Sequence, residues 1–259
     1  RCNMKYDRLQ EIRRLLLRNR KVTTAELCTQ FSVSLETVRR DLNTLEREGI
    51  LQKVYGGAIL TDNSDSPHMM STRDTRSFVC DDEKRRIAAR AIDLIPDNAI
   101  IALDSGTTVF RLAQLLSRRK GLTVLTNSLD IAAEVTRRTS HMVYCIGGVI
   151  KRAEMITTGF LADDFLNRFS SIDMAIFSAD GVSPSGGISD YSVEMGTIKQ
   201  KILAKSERCI CLIDHTKYGV DTFYKVCDLH QFDTFIMDDG LPPGARQEIE
   251  NMGVETIIA

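Results

Sequence analysis

From residue 99 to the end of the chain, short apolar runs alternate with helical stretches, and this alternation restricts the fold more than any other feature. The runs fall at 99–103, 123–125, 142–146, 174–177, 209–213, 234–237 and 255–258. Helical spacing of apolar residues marks 108–117, 129–139, 161–169, 193–205 and 244–252, with a further helix over 81–94 carrying Ile87, Ala88, Ala91, Ile92 and Ile95. Strands that are apolar throughout are buried on both faces, and the intervening helices supply the covers. The fold class expected is therefore α/β, with a parallel sheet covered on both sides. Cys209 and Cys211 alternate within one run and read as packing on one face of a strand.

Residues 1–60 are organised differently. Leu9, Ile12, Leu15 and Leu16 predict a first helix over 6–18, and Val22-Thr23 a short strand. Thr23 or Thr24 can cap a second helix carrying Ala25, Leu27, Cys28 and Phe31. Ser34 caps a third, whose inward face is expected to carry Leu35, Val38, Leu42 and Leu45. Gly49 sits where a helix end favours positive φ. Strands over 50–54 and 58–60 then flank a turn at Gly56-Gly57. Residues 61–71 are polar, with one Pro and little periodicity. The division expected is a small domain over 1–60, a linker over 61–76 and a larger domain over 77–259.

Net charge follows that division. The first sixty residues carry 12 Lys+Arg against 7 Asp+Glu, a net of +5, while the rest carry 22 against 28, a net of −6. A basic head on an acidic body suits a polyanion met by the head alone. Seven cysteines, an odd number without metal-ligand spacing, suggest a reducing compartment and no bound metal. No run approaches the roughly 20 apolar residues of a membrane span, and no leader-like apolar stretch opens the sequence. Cytoplasm is the compartment expected, with no membrane partner and no cofactor.

Three helices and a hairpin can present one helix to a DNA major groove. Ser34, Thr37 and Arg40 lie three apart near the start of the third helix, with Arg39 beside them. Arg can bond guanine bidentately, and hydroxyls can hold phosphate. The hairpin tip, Lys53-Val54-Tyr55-Gly56-Gly57, offers a cation, an aromatic ring and close backbone approach. A plain three-helix bundle would also carry Arg39-Arg40 as solvated residues. The longer string separates the two readings. Val33-Ser34-Leu35-Glu36-Thr37-Val38-Arg39-Arg40-Asp41-Leu42, Leu45-Glu46-Arg47-Glu48-Gly49 and Tyr55-Gly56-Gly57-Ala58 closely resemble the head of the DeoR family of bacterial sugar-metabolism regulators. The resemblance implies a winged helix-turn-helix that binds double-stranded operator DNA through Ser34, Thr37, Arg39 and Arg40, with Lys53, Tyr55 and Gly56 in the wing. Asp41 would pair with a nearby basic residue and orient it. Leu35 departs from the family pattern, where a polar residue is common.

In the larger domain three loops follow strands and offer anion chemistry: Asp104-Ser105-Gly106-Thr107-Thr108, Thr126-Asn127-Ser128 and Gly147-Gly148. Each taken singly also reads as a helix cap or a turn. Glycines let backbone amides converge, hydroxyls add donors, and in open α/β sheets ligands bind beyond the carboxyl ends of strands. Asp180 and Glu194 could accept from sugar hydroxyls, and Lys217 could neutralise a phosphate. As alternatives, Glu194 reads as a helix N-terminal acid and Lys217 as a solvated lysine. These elements again resemble the DeoR sensor domain over roughly 77–255, similar in fold to ribose-phosphate isomerases and coenzyme A transferases. That resemblance implies a phosphorylated sugar effector and a homo-oligomer, dimer or tetramer. The rival is an isomerase-like enzyme fused to a DNA-binding head. The Gly- and Lys-rich catalytic stretch expected of such an isomerase is not evident around Ser183–Ser189, so no catalytic residue is assigned and a repressor is expected.

Overall fold

The computed structural model describes residues 8–9, 11–13, 15–16, 19, 21–47, 50–60, 76–77 and 79–259. The chain divides into two compact units, Arg1–Val79 and Cys80–Ala259. Gly49, most of the expected linker (61–75), and the start and end of the first expected helix lie outside the described residues.

In the first unit the described residues among 8–19 are helical. They are followed by β1 (Lys21–Thr23), α1 (Thr24–Phe31), α2 (Leu35–Arg47), β2 (Leu51–Val54) and β3 (Gly57–Leu60). Thr23 is the cap of α1: its side chain accepts from Glu26 N, and Glu26 returns a bond to Thr23 N. This reciprocal arrangement satisfies two otherwise orphaned donors. β3 lies between β1 and β2, antiparallel to both. Gly57 is required there, because a Cβ would overlap the Val22 carbonyl. Ile12, Leu16, Leu27, Val38, Leu42, Leu45 and Ala58 form the core. Leu35 does not join them. It opens α2 and is 44% exposed, since the first turn projects beyond the helices it packs on. Asp41 is buried and pairs with Arg8 at 2.6 Å, tying the recognition helix to the first helical stretch.

The second unit holds a seven-stranded sheet. Its strands are β4 (Ile100–Leu103), β5 (Thr123–Thr126), β6 (Met142–Cys145), β9 (Ile172–Phe177), β12 (Ser206–Ile213), β14 (Thr234–Met237) and β15 (Glu255–Ile258). The spatial order is β15-β14-β12-β9-β4-β5-β6 and every pairing is parallel. The chain therefore builds outward from β4 in one direction, then restarts at β9 on β4's other side. Side-chain alternation sends Ile101, Leu103, Met174, Ile176, Ile210 and Leu212 to one face. Ala102, Ala175, Phe177, Cys209, Cys211 and Ile213 go to the other. The first face is covered by α3 (Asp81–Ala91), α4 (Thr107–Ala113) and α5 (Leu129–Arg138). The second is covered by α6 (Phe160–Asn167), α7 (Val193–Leu203) and α8 (Ala245–Glu250).

Five short strands have no counterpart in the sequence reading. β7 (Val149–Lys151) and β8 (Ile156–Thr158) form a hairpin, and β10 (Gly181–Ser183), β11 (Gly187–Asp190) and β13 (Tyr224–Cys227) form an antiparallel sheet. Three or four residues are too few to display a period, and β13 pairs with β11 from more than thirty positions away.

Removing the carboxylate at Asp41 strands a largely buried guanidinium. Asp41→Ala is expected to destabilise the first unit by about 3 kcal/mol. In a thermal melt its transition should drop while that of the second unit stays in place.

Candidate functional site

The candidate recognition residues of the first unit gather at the start of α2. Ser34 accepts from Thr37 N at 3.3 Å and its hydroxyl meets that of Thr37 at 3.0 Å. Those hydroxyls therefore shape the turn as well as facing outward. Arg40 is exposed and paired with Glu36 at 3.2 Å, a surface contact of about 0–1 kcal/mol that a phosphate or base can displace. Arg39 is exposed and has no side-chain partner among the described residues. Lys53 reaches back to Glu46 at 3.0 Å and to Asn43 at 2.6 Å, and its bonds hold the Glu46 carboxyl below the usual range. Tyr55 at the wing tip is fully exposed. Gly56 takes a φ of 78°, and its carbonyl accepts from Thr24 N at 2.8 Å. The wing is thus anchored to α1 while its aromatic tip stays free.

In the second unit the reversal of strand order lies between β4 and β9, whose covering helices lie on opposite faces; open α/β sheets take ligands at the carboxyl edge of such a point. The loop after β4 begins at Asp104, and the loop after β9 begins at Ser178. Asp104 Oδ2 accepts from Ser178 N at 3.1 Å and from Ser178 Oγ at 2.8 Å. Gly106 packs so tightly here that a Cβ would overlap Ser178 Oγ. Beneath lies Lys199 of α7, only 5% exposed. Its ammonium meets Asp104 at 3.3 Å, Asp190 at 2.9 Å and the Ser178 carbonyl at 2.7 Å. Burial alone would lower the Lys199 pKa, but Asp104, Asp190 and Asp180 outweigh it and hold the ammonium above its usual range. Asp190 is pushed up to about 6 by burial, opposed by Lys199 and reinforced by Asp180 and Asp104. Asp180 is half-buried and accepts from Tyr191 N at 3.4 Å.

The other expected residues are distributed along the same edge. Thr126 Oγ1 accepts from Ser128 N at 3.1 Å, and Ser128 Oγ caps α5 by accepting from Ile131 N at 3.3 Å. Asn127 Nδ2 donates to the Thr157 carbonyl at 3.2 Å. All three are buried, with these polar atoms engaged in holding the loop. Gly148 has a φ of 139° and packs on the Thr158 backbone, whereas Gly147 is open on its Cα side. Glu194 pairs with Lys151 of the β7–β8 hairpin at 2.5 Å, which brings its carboxyl down to about 2. Lys217 ends a short turn after β12. That turn is held by Asp214, which is buried against Lys84 at 3.8 Å, and by His215 bonded to Asp238 at 2.7 Å. Strands spaced about 4.8 Å apart put the ends of β4 and β12 about 10 Å from each other.

Thr108 is buried within α4. Ser105, Thr107 and Lys217 are half-buried and have no side-chain partner among the described residues. Sequence reasoning missed Lys199 and Asp190. The available signal was a lysine beside Ile198 and Ile202 on the apolar face of a helix, where a solvated residue has no place. Among the described residues no cluster of His, Cys, Asp and Glu could hold a metal, and no helix is long and apolar enough to cross a membrane.

Residues 8–64 match the family model described as the DeoR-like helix-turn-helix domain, and residues 80–239 match that of the DeoR C terminal sensor domain. The chain is 35% identical to the lactose phosphotransferase system repressor of Staphylococcus epidermidis, over 91% of this chain and 92% of that protein. It is 30% identical to the L-fucose operon activator of Haemophilus influenzae, over 92% and 94%. A ribose-5-phosphate isomerase solved with phospho-erythronic acid overlays with a TM-score of 0.41 at 18% identity, covering 59% of this chain and 56% of that one. So loose an overlap leaves the fold to be read from the strand order.

Lys199→Met should leave two or more buried carboxylates without their cation, at a cost of about 3–5 kcal/mol. A carboxyl that holds its proton to higher pH when folded than when unfolded loses stability as pH rises between the two values. In the wild type that window runs from the ordinary carboxylate range up to about 6 for Asp190. In Lys199→Met it should widen upward, so the stability deficit measured by urea unfolding should grow with pH instead of remaining flat.

Proposed function

The chain belongs to the DeoR family of transcriptional regulators, and on that premise we propose that it represses a carbohydrate-metabolism operon under the control of a phosphorylated sugar. DNA is met by the first unit. Ser34, Thr37, Arg39 and Arg40 face the major groove from α2, and Lys53, Tyr55 and Gly56 of the wing lie against the backbone or the neighbouring groove. The protein acts as a homo-oligomer in the cytoplasm, because helix-turn-helix readers address paired half-sites with paired heads.

The effector sits beyond the carboxyl edge of the sheet, centred on the β4–β9 crevice. The observation that supports this most strongly is the way Gly106, Ser178, Asp104 and Lys199 are packed at the point where strand order reverses. Phosphate is received by the backbone and hydroxyls of Ser105, Gly106 and Thr107, with Thr108 supporting them from within α4 and Lys217 supplying a positive charge. Asp180 accepts from sugar hydroxyls. Thr126, Asn127, Ser128, Gly147, Gly148 and Glu194 shape the adjoining wall. Relatives carry the names of regulators of lactose and fucose systems, which supports a sugar as the ligand. Binding occurs without turnover. It acts by favouring one arrangement of heads over another, and so requires different affinity for the two.

A thermal-shift panel of sugar phosphates against their unphosphorylated sugars tests the effector. A cognate ligand at a hundred times its Kd should stabilise by about 2.7 kcal/mol. Gly106→Val should abolish the shift while sparing DNA binding; a panel with no shift, or one shifted equally by free sugars, would overturn the phosphate assignment. On the DNA side, Arg40→Ala should cost about 1–3 kcal/mol of binding to a selected duplex, whereas Glu36→Ala, which frees Arg40, should not weaken it. Unchanged affinity in Arg40→Ala would remove that residue from the reading surface.

A further inference from the structure

The apolar residues of α2 divide into two kinds. Val38, Leu42 and Leu45 are buried in the core of the first unit. Leu35 is 44% exposed and lies outside the group of side chains packed against that core. The other exposed side chains of the helix, Glu36, Arg39, Arg40 and Arg47, are all charged. An apolar group among charges on the outer side of a helix has no role in the packing of the unit.

The polar groups around Leu35 are largely engaged within the chain. Ser34 Oγ accepts from Thr37 N at 3.3 Å, and the two hydroxyls meet at 3.0 Å. Arg40 pairs with Glu36 at 3.2 Å. Arg39, by contrast, is exposed and has no side-chain partner among the described residues. Residues four apart on a helix are neighbours on its surface, so Leu35 and Arg39 stand side by side. Long side chains on a helix lean toward its N-terminus, which places the Leu35 isobutyl group at the leading end of α2. In a helix-turn-helix that end is the one that meets base edges.

We propose that Leu35 sets base preference by seating against the C5-methyl group of a thymine in the major groove. Base pairs present hydrogen-bond donors and acceptors along that groove, and the thymine methyl is the apolar landmark among them. An apolar side chain laid over a polar base atom strips its water and returns no hydrogen bond, a net cost. Laid over a methyl, it removes water from two apolar surfaces, a net gain. One contact thus rewards a thymine at one position on one strand and penalises the other pairs there. Arg39, beside it, supplies the charge that holds this end of the helix to the DNA.

The proposal rests on the reading of α2 as the helix that meets operator DNA, and its test separates the two. The full chain selects duplexes from a randomised pool. Each thymine of a selected duplex is then replaced in turn by deoxyuridine, which keeps base pairing and removes only the methyl. Wild-type binding should weaken about fourfold at the contacted position, the effect of one buried methyl-sized group. Leu35→Ser should bind the thymine duplex about fourfold more weakly than the wild type and no longer distinguish thymine from deoxyuridine at that position. Leu35→Met, still apolar, should keep the distinction. A merely structural role would weaken binding to both duplexes alike. Should Leu35→Ser fail to fold, Leu35→Gln takes its place. A scan in which no deoxyuridine weakens the wild type, or in which the polar variant keeps full discrimination at every sensitive position, would overturn the proposal while leaving the chain a DNA-binding protein. Failure to select any duplex would overturn the operator-binding reading, and this proposal with it.

Discussion

The second unit is organised around one buried cation. Lys199 reaches from α7 to Asp104 at the end of β4, to the Ser178 carbonyl at the end of β9, and to Asp190 on β11. Three segments far apart in sequence meet at that ammonium, at the point where the sheet changes direction. An ion pair at this depth loses hydration for both partners, so its net contribution to stability is small or even unfavourable. What it supplies is position. An apolar side chain there could fill the space beneath β4 and β9, but it could not hold two carboxylates and a carbonyl in a single arrangement. The ends of β4 and β9 are thereby held to each other and to β11.

The first unit uses the same device on a smaller scale. Arg8 and Asp41 form the ion pair behind the recognition helix, while Arg39 and Arg40 remain on its outer side. One basic residue ties the helix to the first helical stretch and the others stay exposed. The wing follows a similar division: Gly56 fixes it to α1 through Thr24, and Tyr55 projects from it without a task in the fold. Exposed groups that the fold does not use are the ones available to a partner.

Between crevice and edge the connection is made by backbone hydrogen bonds. The 126–128 loop is buried, and it bonds directly to β8. Lys151 and Glu194 clamp the other strand of the same hairpin to the start of α7. The hairpin is therefore held at one end by the wall of the crevice and at the other by the helix that carries Lys199. Packed elements joined in this way shift as units, which is the property a sensor needs to pass a local event to a distant surface.

Much of this could be read from residues alone. Continuous apolar runs separated by helical periods specify a parallel sheet with two covers, because no other arrangement buries them. All seven strands of the large sheet were visible in this way, as were the cap at Ser34 and, to within one residue, the cap at Thr23, whose chemistry is local. The string from Val33 to Leu42 marked the recognition helix. Three things were decided only by tertiary structure. Leu35 lies outside the core because the end of a helix faces whatever packs there, which periodicity does not record. The short strands of 149–158, 181–190 and 224–227 are too brief to show a period and are defined by their pairing, which for 224–227 is with a strand more than thirty positions earlier. The role of Lys199 depends on carboxylates 9 and 95 positions away in the chain that only strand order brings together. Local sequence sets the elements and their apolar faces; the meeting of charges across the switch in strand order is a property of the assembled sheet.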